Sequence, residues 1–376
     1  MKILYVIPWL YRGGAEKLVL ETCIELNKRN GITTKIITFK KDNTYKSLSD
    51  HVDWQIIPSS IKLSLFKKNK YYIDELSEFI FDFQPDIIHT HLWEAEIITR
   101  NIDYSKAVWF SHFHDNMKQL RKKLFRLNKK DVTDLYEKNL MLKRHKKINN
   151  NFICISKDTL QYAESVLPEH FHKKIHLLNN AINTKHFKNN TTTFKDKIRL
   201  INVGSLYPKK NQILAIKVLQ KLLLKGFDAE LTLLGDGPEK DNLLSFSKKV
   251  GVHHKLNFMG FVNNVNEYML ESNIYLHTAN YEPFGLVLIE AMASGLPVVT
   301  LDGKGNRDFI EHGLNGYIFK EENPTLFAEQ IIELFKNQEL YNNISMNGQN
   351  TAVGYDIKNY VTKLLEIYKA SMASIN

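Results

Sequence analysis

The residues best suited to chemistry are two glutamates, Glu282 and Glu290, with seven residues between them, in the stretch His277–Asp308, HTANYEPFGLVLIEAMASGLPVVTLDGKGNRD. A short apolar run, Ile274 to His277, precedes them. Gly285 to Ala293 then carries apolar residues at helical spacing until Ser294, Gly295 and Pro297 stop it. The spacing predicts strand, loop, helix and strand, with Glu282 in the loop and Glu290 in the helix. The N–H groups of Phe284, Gly285 and Leu286, just after Pro283, would open that helix, where free donors and the dipole favour an anion. A phosphate there would be flanked by two carboxylates, which accept hydrogen bonds from hydroxyls. A ligand joining sugar or ribose hydroxyls to a diphosphate, a nucleotide sugar, suits both features.

Elements able to hold such a site recur along the chain. Strand signals at Lys2–Ile7, Thr33–Phe39, Asp86–Thr90, Ala107–Ser111 and Asn151–Ile155 come with a helix signal at Gly13–Arg29. A second series runs Arg199–Val203 strand, Asn211–Leu224 helix, Ala229–Leu234 strand, Glu239–Val250 helix and Lys255–Phe258 strand, and leads into the Glu282 stretch. This alternation predicts parallel sheets with helices on both faces. The polar run Asn189-Asn190-Thr191-Thr192-Thr193 separates the two series. The fold class is therefore α/β with two Rossmann-like domains, residues 1–190 and 191–356, facing across a cleft. At 376 residues, each can bury its own core.

Open sheets bind ligands at the carboxyl ends of their strands, which singles out the loops there. Pro8–Gly14 carries Gly13 and Gly14, which let backbone approach a ligand closely. It lacks the third glycine of G-x-G-x-x-G, which weighs against an oxidoreductase. Ser111-His112-Phe113-His114-Asp115 follows a predicted strand, and His89 and His91 end an earlier one as lining candidates. His112 and His114 could also bind a metal, but no carboxylate or cysteine lies at ligand spacing beside them. In the second series, Gly204–Gln212 brings Lys209 and Lys210 to a strand end, and Gly235-Asp236-Gly237-Pro238 and Gly260-Phe261-Val262 follow the next two strands.

The EPFG core of the central stretch, followed by AMASGLPVV, resembles the donor-binding signature of retaining glycosyltransferases of family 4, which have the two-domain GT-B fold. The order of features resembles that family across nearly the whole chain. The resemblance implies that Glu282 contacts the transferred sugar and Glu290 the ribose of the nucleotide. It also implies that Gly13-Gly14-Ala15-Glu16, similar to the family's GGAE opening, lies beside the diphosphate and acceptor. His114, followed by Asp115, would lie against the donor sugar, with His112 the second choice. Lys210 would embrace the diphosphate, and Gly260-Phe261-Val262 would frame the nucleobase through main-chain groups. Glu282, His114 and Lys210 form the implied catalytic set, with Pro283, Phe284, Gly285 and Leu286 completing the donor loop.

The family pattern has an Arg directly after Gly204, where this chain has Ser205. Either Lys209 or Arg307 takes over that charge, or donor binding is weaker. Ala181 and Asn183 depart from the family's NG-[VI]-D turn, and Gly303, Gly305 and Asp308 match its GG-x-x-E turn imperfectly. The last helix, around Tyr355–Ala370, would pack back across both domains as in the family, with residues 357–376 returning to the N-terminal domain. The implied function is transfer of a hexose-type sugar from a UDP- or GDP-sugar to a glycan or lipid-linked acceptor, in bacterial surface polysaccharide biosynthesis. In this family the diphosphate is steadied by Lys210 and helix dipoles, so no cofactor and no metal is expected. No Asp-x-Asp occurs in the chain.

Hydrophobic residues at 43% and charged residues at 24% are ordinary globular values, which weighs against disorder or a membrane-spanning protein. The apolar start is cut off by Pro8, far short of a spanning helix, and reads as a first strand. Cys23 and Cys154 sit in apolar patterns and read as buried reduced thiols of a cytoplasmic protein. The net charge of +10 is concentrated: Lys118–Lys147 holds twelve Lys or Arg against Asp131, Asp134 and Glu137. Met117, Leu120, Leu124, Leu127, Leu135 and Leu142 recur there at helical intervals. This amphipathic, basic segment is a candidate for docking on an anionic membrane surface, at the inner face of the cytoplasmic membrane. A nucleic-acid-binding protein would interleave aromatics with the cations. Only Phe125 and Tyr136 do so, and no nucleic-acid partner is expected. An epimerase or phosphorylase on the same fold is the nearer alternative.

Overall fold

The structure, a computed structural model, describes residues 1–64, 67–121, 129–187 and 197–373. The chain forms two compact units, Met1–Ala181 with Ile357–Asn376, and Ile182–Asp356.

In the first unit β1 (Lys2–Val6), α1 (Gly14–Leu26), β2 (Thr33–Thr38), α2 (Lys46–Ser49) and β3 (Trp54–Ile56) come first. A small antiparallel hairpin of β4 (Ser60–Lys62) and β5 (Lys70–Tyr72) follows, then α3 (Asp74–Phe83). The series closes with β6 (Ile87–His91), α4 (Trp93–Thr99), β7 (Val108–Phe113), α5 (Lys129–Lys147), β8 (Asn150–Cys154), α6 (Lys157–Val166) and β9 (Ile175–Leu177). Its parallel sheet has the order β3-β2-β1-β6-β7-β8-β9. Every residue of β6, β7 and β8 is buried, because helices cover both faces of the sheet. The chain turns into α6 through a capping box: Thr159 N donates to Ser156 Oγ at 3.2 Å, and Ser156 N donates back to Thr159 Oγ1 at 2.9 Å.

The second unit runs β10 (Ile198–Val203), α7 (Gln212–Leu224), β11 (Ala229–Leu234), α8 (Lys240–Lys249), β12 (Leu256–Gly260), α9 (Val265–Leu270) and β13 (Ile274–His277). Then come α10 (Leu286–Ala293), β14 (Val298–Leu301), β15 (Tyr317–Phe319), α11 (Pro324–Lys336) and α12 (Gln338–Gly354). Its parallel sheet has the order β12-β11-β10-β13-β14-β15. Strand order therefore reverses between β1 and β6 in one unit and between β10 and β13 in the other. Such switch points open a crevice at the carboxyl ends of the strands.

The last helix, α13 (Ile357–Ala373), returns to the first unit, where Tyr360, Val361, Leu364 and Tyr368 are buried among Ile3, Tyr5, Leu18 and Cys23. The first unit ends at Ala181, ahead of the polar run at 189–193, which lies outside the described residues. Pairing draws the earlier residues into the second unit: Ile182 N donates to Tyr355 O at 3.0 Å, and Thr184 Oγ1 to the Asp356 carboxylate. The three-residue strands β3, β9 and β15 carry too few residues to show a period, so no apolar pattern marks them. Among the described residues no helix is long and apolar enough to cross a membrane.

Candidate active site

At the second unit's switch point, the loops after β10 and β13 bring Lys210 and Glu282 together. Lys210 Nζ lies 2.5 Å from Glu282 Oε2, with the two side chains only 16% and 11% exposed. The same oxygen is 3.1 Å from Nε2 of His277, the last residue of β13. Burial pushes the Glu282 carboxyl up. The Lys210 charge and the His277 hydrogen bond outweigh it and hold the group well below the usual carboxylate range. Burial pushes His277 the other way, below its usual range, against the pull of Glu282. A neutral imidazole facing an ionised carboxylate donates from Nε2, which leaves Nδ1 as a lone pair, and Nδ1 is buried without a partner. The site thus holds a fixed negative charge, one matched cation and a neutral histidine that orients the carboxylate.

The backbone locks the same residue. Glu282 N donates to Gly303 O at 2.8 Å and Gly305 N donates to Glu282 O at 3.0 Å. Glycine is required at both positions, because a Cβ on Gly305 would lie 2.0 Å from Pro283 O, and one on Gly303 2.7 Å from Glu282 Cβ. Buried Asn306 ties this turn by accepting from Gly303 N at 3.0 Å and donating to Leu301 O at 2.9 Å. Gly285 then takes a left-handed φ of +101° as the N-cap of α10. The helix therefore begins at Leu286, and Phe284 does not open it as the spacing predicts. Phe284 is buried against the rings of Phe309 at 5.2 Å and Tyr355 at 5.8 Å. Gly285 offers no side-chain acceptor, and its carbonyl takes Leu288 N at 3.0 Å, so of the first turn of α10 the N–H groups of Leu286 and Val287 are the ones turned toward another group. Glu290 lies one turn further on and is buried at 6% exposure.

The other residues of this unit take separate places. Lys209 is exposed, and its carbonyl accepts from Asn280 N at 3.0 Å. Ser205 is exposed too, with its carbonyl taken by Gln212 Nε2 at 3.2 Å. Arg307 Nε lies 2.6 and 2.7 Å from the two Asp302 oxygens, so its charge is already matched. Gly260 ends β12 at a φ of +68°, and its carbonyl accepts from Gly235 N at 2.7 Å. Phe261 beyond it is 39% exposed and Val262 half-buried.

In the first unit, Gly13 and Gly14 open α1. The absence of a Cβ at Gly13 makes room for Glu16, whose Oε2 would stand 2.1 Å from it. Glu16 folds back there, accepts from Trp9 Nε1 at 3.0 Å, and has its carboxyl pushed up by burial to about 7 despite that bond. His114, past the end of β7, is half-buried, with Nε2 2.8 Å from His91 Nδ1 and a pKa pushed down by burial to about 3. His89, His91 and His112 are buried beside it. Asn183 Oδ1 accepts from Lys185 N at 3.3 Å and so caps a short turn in place of the aspartate of the family pattern. A cavity of about 720 Å³ lies between the β4–β5 hairpin, α4 and α5, lined among others by Leu63, Trp93, Ile97, Tyr136 and Glu137.

The basic segment is described only in part, since 122–128 lie outside the described residues. Within it, Met117 and Leu120 are buried, and Arg121 pairs with Asp131 at 3.1 Å and Asp134 at 3.5 Å. On α5, Met141 and His145 face inward, while Val132, Leu135, Lys143, Lys146 and Lys147 are exposed.

His277 and Asn306 are functional candidates that pattern reading missed. A histidine closing an apolar strand has no motif of its own, and only the loop's return shows what it holds. Cys23 and Cys154 are free and buried.

Residues 12–186 match the family profile Glycosyltransferase Family 4, and residues 183–351 match Glycosyl transferases group 1. An uncharacterised glycosyltransferase of Haemophilus influenzae is 31% identical over 213 residues, 56% of this chain and 59% of that one. The N-acetylgalactosamine-N,N'-diacetylbacillosaminyl-diphospho-undecaprenol 4-alpha-N-acetylgalactosaminyltransferase of Campylobacter jejuni is 28% identical over 188 residues, 49% and 50% of the two chains. The chain spans roughly half the length of the curated relatives it matches. The crystal structure of Anabaena HepE in complex with UDP-glucose superposes with a TM-score of 0.80 at 18% identity, over 98% of this chain and all of the other.

Proposed function

This chain belongs to glycosyltransferase family 4, with the GT-B fold, and from that premise we propose that it moves a hexose-type sugar from a UDP- or GDP-sugar to a glycan or lipid-linked acceptor, with retention at the anomeric carbon. The observation that carries this reading is the single Glu282 oxygen shared by Lys210 and His277 at the carboxyl ends of β10 and β13. A diphosphate brings more negative charge than one carboxylate and competes for the Lys210 ammonium. Glu282, still held by His277 and by its backbone bonds, then has an oxygen for the sugar hydroxyls. The first turn of α10 adds its dipole and the N–H groups of Leu286 and Val287 to the phosphate side. Charge developing on the leaving diphosphate is met by these preorganised groups, with no metal bridging the phosphates. Glu290 takes the ribose, the Gly235 and Gly260 turns the base, and His114 with the Gly13-Gly14 loop the transferred sugar and acceptor.

The UDP-glucose of HepE and the undecaprenol-linked acceptor named for the Campylobacter relative support these substrate classes. They suit assembly of a bacterial surface polysaccharide at the inner face of the cytoplasmic membrane. The exposed Val132 and Leu135 beside Lys143, Lys146 and Lys147 on α5 support docking there.

Nucleotide release from candidate donors, with and without acceptor, tests the reading. Transfer requires acceptor-dependent release, an epimerase releases none, and a phosphorylase needs phosphate. Glu282→Gln should fold normally and lose roughly ten- to a hundredfold in kcat, since a charged hydrogen bond is worth about 1.5–3 kcal/mol. Lys210→Ala should weaken binding of the intact donor and of the nucleoside diphosphate alike. Wild-type turnover in Glu282→Gln would overturn the site assignment.

A further inference from the structure

Four histidines meet at the other switch point, in the first unit. Strand register sets His91 opposite His112 and Tyr5 opposite His89. The two-residue alternation then sends His89, His91, His112 and His114 to one face of the sheet. The ring centroids of His89 and His112 are 5.1 Å apart, those of His89 and His91 4.4 Å, and those of His112 and His114 4.2 Å. A hydrogen-bonded chain links Tyr5 OH to Tyr368 OH at 3.0 Å, Tyr368 OH to His89 Nδ1 at 2.6 Å, and His89 Nε2 to His112 Nδ1 at 3.2 Å. A second pair joins His91 Nδ1 to His114 Nε2 at 2.8 Å.

Two ring nitrogens are left without a partner, His91 Nε2 and His112 Nε2, on residues 1% and 0% exposed. Burial holds these imidazoles neutral, each with one N–H and one lone pair. An orphaned N–H in a protein interior is rarer than an unused lone pair. His91 therefore donates from Nδ1 to His114 and His112 from Nδ1 to His89, and the two orphans are lone pairs. Two buried, neutral imidazole lone pairs with no proton to share are ligands that suit a borderline first-row dication.

We propose that this cluster binds a first-row transition-metal dication of the zinc class, with His91 Nε2 and His112 Nε2 as ligands and His89 as the third. One ring nitrogen from each of the three lies within 4.8 Å of the others. Zinc–imidazole bonds of about 2.0–2.1 Å set tetrahedral ligands about 3.3 Å apart, so the rings must draw together from the present spacing when the ion binds. His89 turns its Nε2 from His112 to the ion, which leaves the His112 Nδ1–H without its acceptor, a loss that the metal–nitrogen bonds offset. His91 keeps its Nδ1–H on His114, the outer hydrogen bond that ligating histidines ordinarily carry. Three neutral imidazoles leave the ion's charge unmatched, so the fourth position takes water or hydroxide. Half-buried His114 stands at the mouth of the cluster and gives the ion its way in. All the ligands belong to the first unit, and the site does not depend on the transfer reaction or on Lys210 and Glu282.

The experiment strips the purified chain with a chelator and titrates it with Zn²⁺ alone against a chromophoric competitor, and with Co²⁺ alone by visible absorption. One equivalent should bind, with the d–d band of a four-coordinate ion, and Zn²⁺ should raise the melting temperature of the wild-type chain by mass action. His91→Phe and His112→Phe should each weaken binding by about tenfold or more, while the exposed pair His253→Ala/His254→Ala should bind as the wild type does. The cobalt spectrum and the melting shift need no variant, so a poorly folding substitution leaves the outcome readable. Absence of a saturable equivalent in the wild type, or equal binding by both cluster variants, would overturn the site.

Discussion

Glu16 shows how a single residue's surroundings set its chemistry. Its carboxyl is raised from 4.5 to about 7, first by burial, with the Trp9 hydrogen bond and a backbone bond opposing. Between those two values the folded chain holds a proton that the unfolded chain has lost. Its contribution to stability is therefore fully present below about pH 4.5 and falls as the pH rises toward 7. Glu16→Gln removes the titration. The variant should match the wild type at pH 4 and exceed it at pH 8, by at most about 3 kcal/mol at 1.36 kcal/mol per unit. Thermal midpoints at the two pH values check this, and an equal gain at both would mean that the carboxyl does not titrate in the window. Glu282 sits in a comparable degree of burial with the opposite result, because Lys210 and His277 are aimed at it. The residue types were legible in the sequence at both positions, but the sign of each shift was not, since it depends on what the fold places alongside.

Among the elements, the turn from Glu282 into α10 is the most constrained. Gly285 adopts φ +101°, and a Cβ there would lie 2.6 Å from Leu288 Cδ1 and 3.2 Å from Glu282 Cγ. Gly285→Ala therefore adds steric conflict to the left-handed penalty of about 1–2 kcal/mol. Gly313 offers a control, with φ +80° and open space around its Cβ. Urea unfolding should show Gly285→Ala losing clearly more stability than Gly313→Ala, and donor binding should fall only in the former. Equal losses would mean that the loop relaxes around the new methyl. The strand–loop–helix–strand order of this region was readable from apolar spacing. The helix start was not, because the left-handed glycine delays it past Phe284, and the aromatic contacts of Phe284 come from residues far along the chain.

For the molecule as a whole, the uneven charge matters most. α5 exposes Val132 and Leu135 together with Lys143, Lys146 and Lys147, and each cation near an anionic surface is attracted by about 1 kcal/mol within a Debye length. Sedimentation with anionic vesicles should pull the protein down at low salt, less so at high salt. It should weaken when Lys143, Lys146 and Lys147 are changed to Glu, and further when Lys122, Lys123, Lys129 and Lys130 are changed with them. Equal sedimentation with neutral vesicles, or none with either, would remove membrane docking and leave the transfer reaction standing. Alternating strand and helix signals, the EPFG stretch, the glycine pair and the basic run are all local, and the sequence by itself determined them, because a period of two or of 3.6 is written within a few residues. Tertiary structure alone decided which of those residues meet. Lys210 reaches Glu282 across 72 positions of sequence, α13 brings Tyr368 to Tyr5, and strand register turns two separate His-x-His pairs into one cluster. Such pairings depend on strand order and on which face of a sheet a side chain leaves from, and neither is encoded by any short stretch of residues.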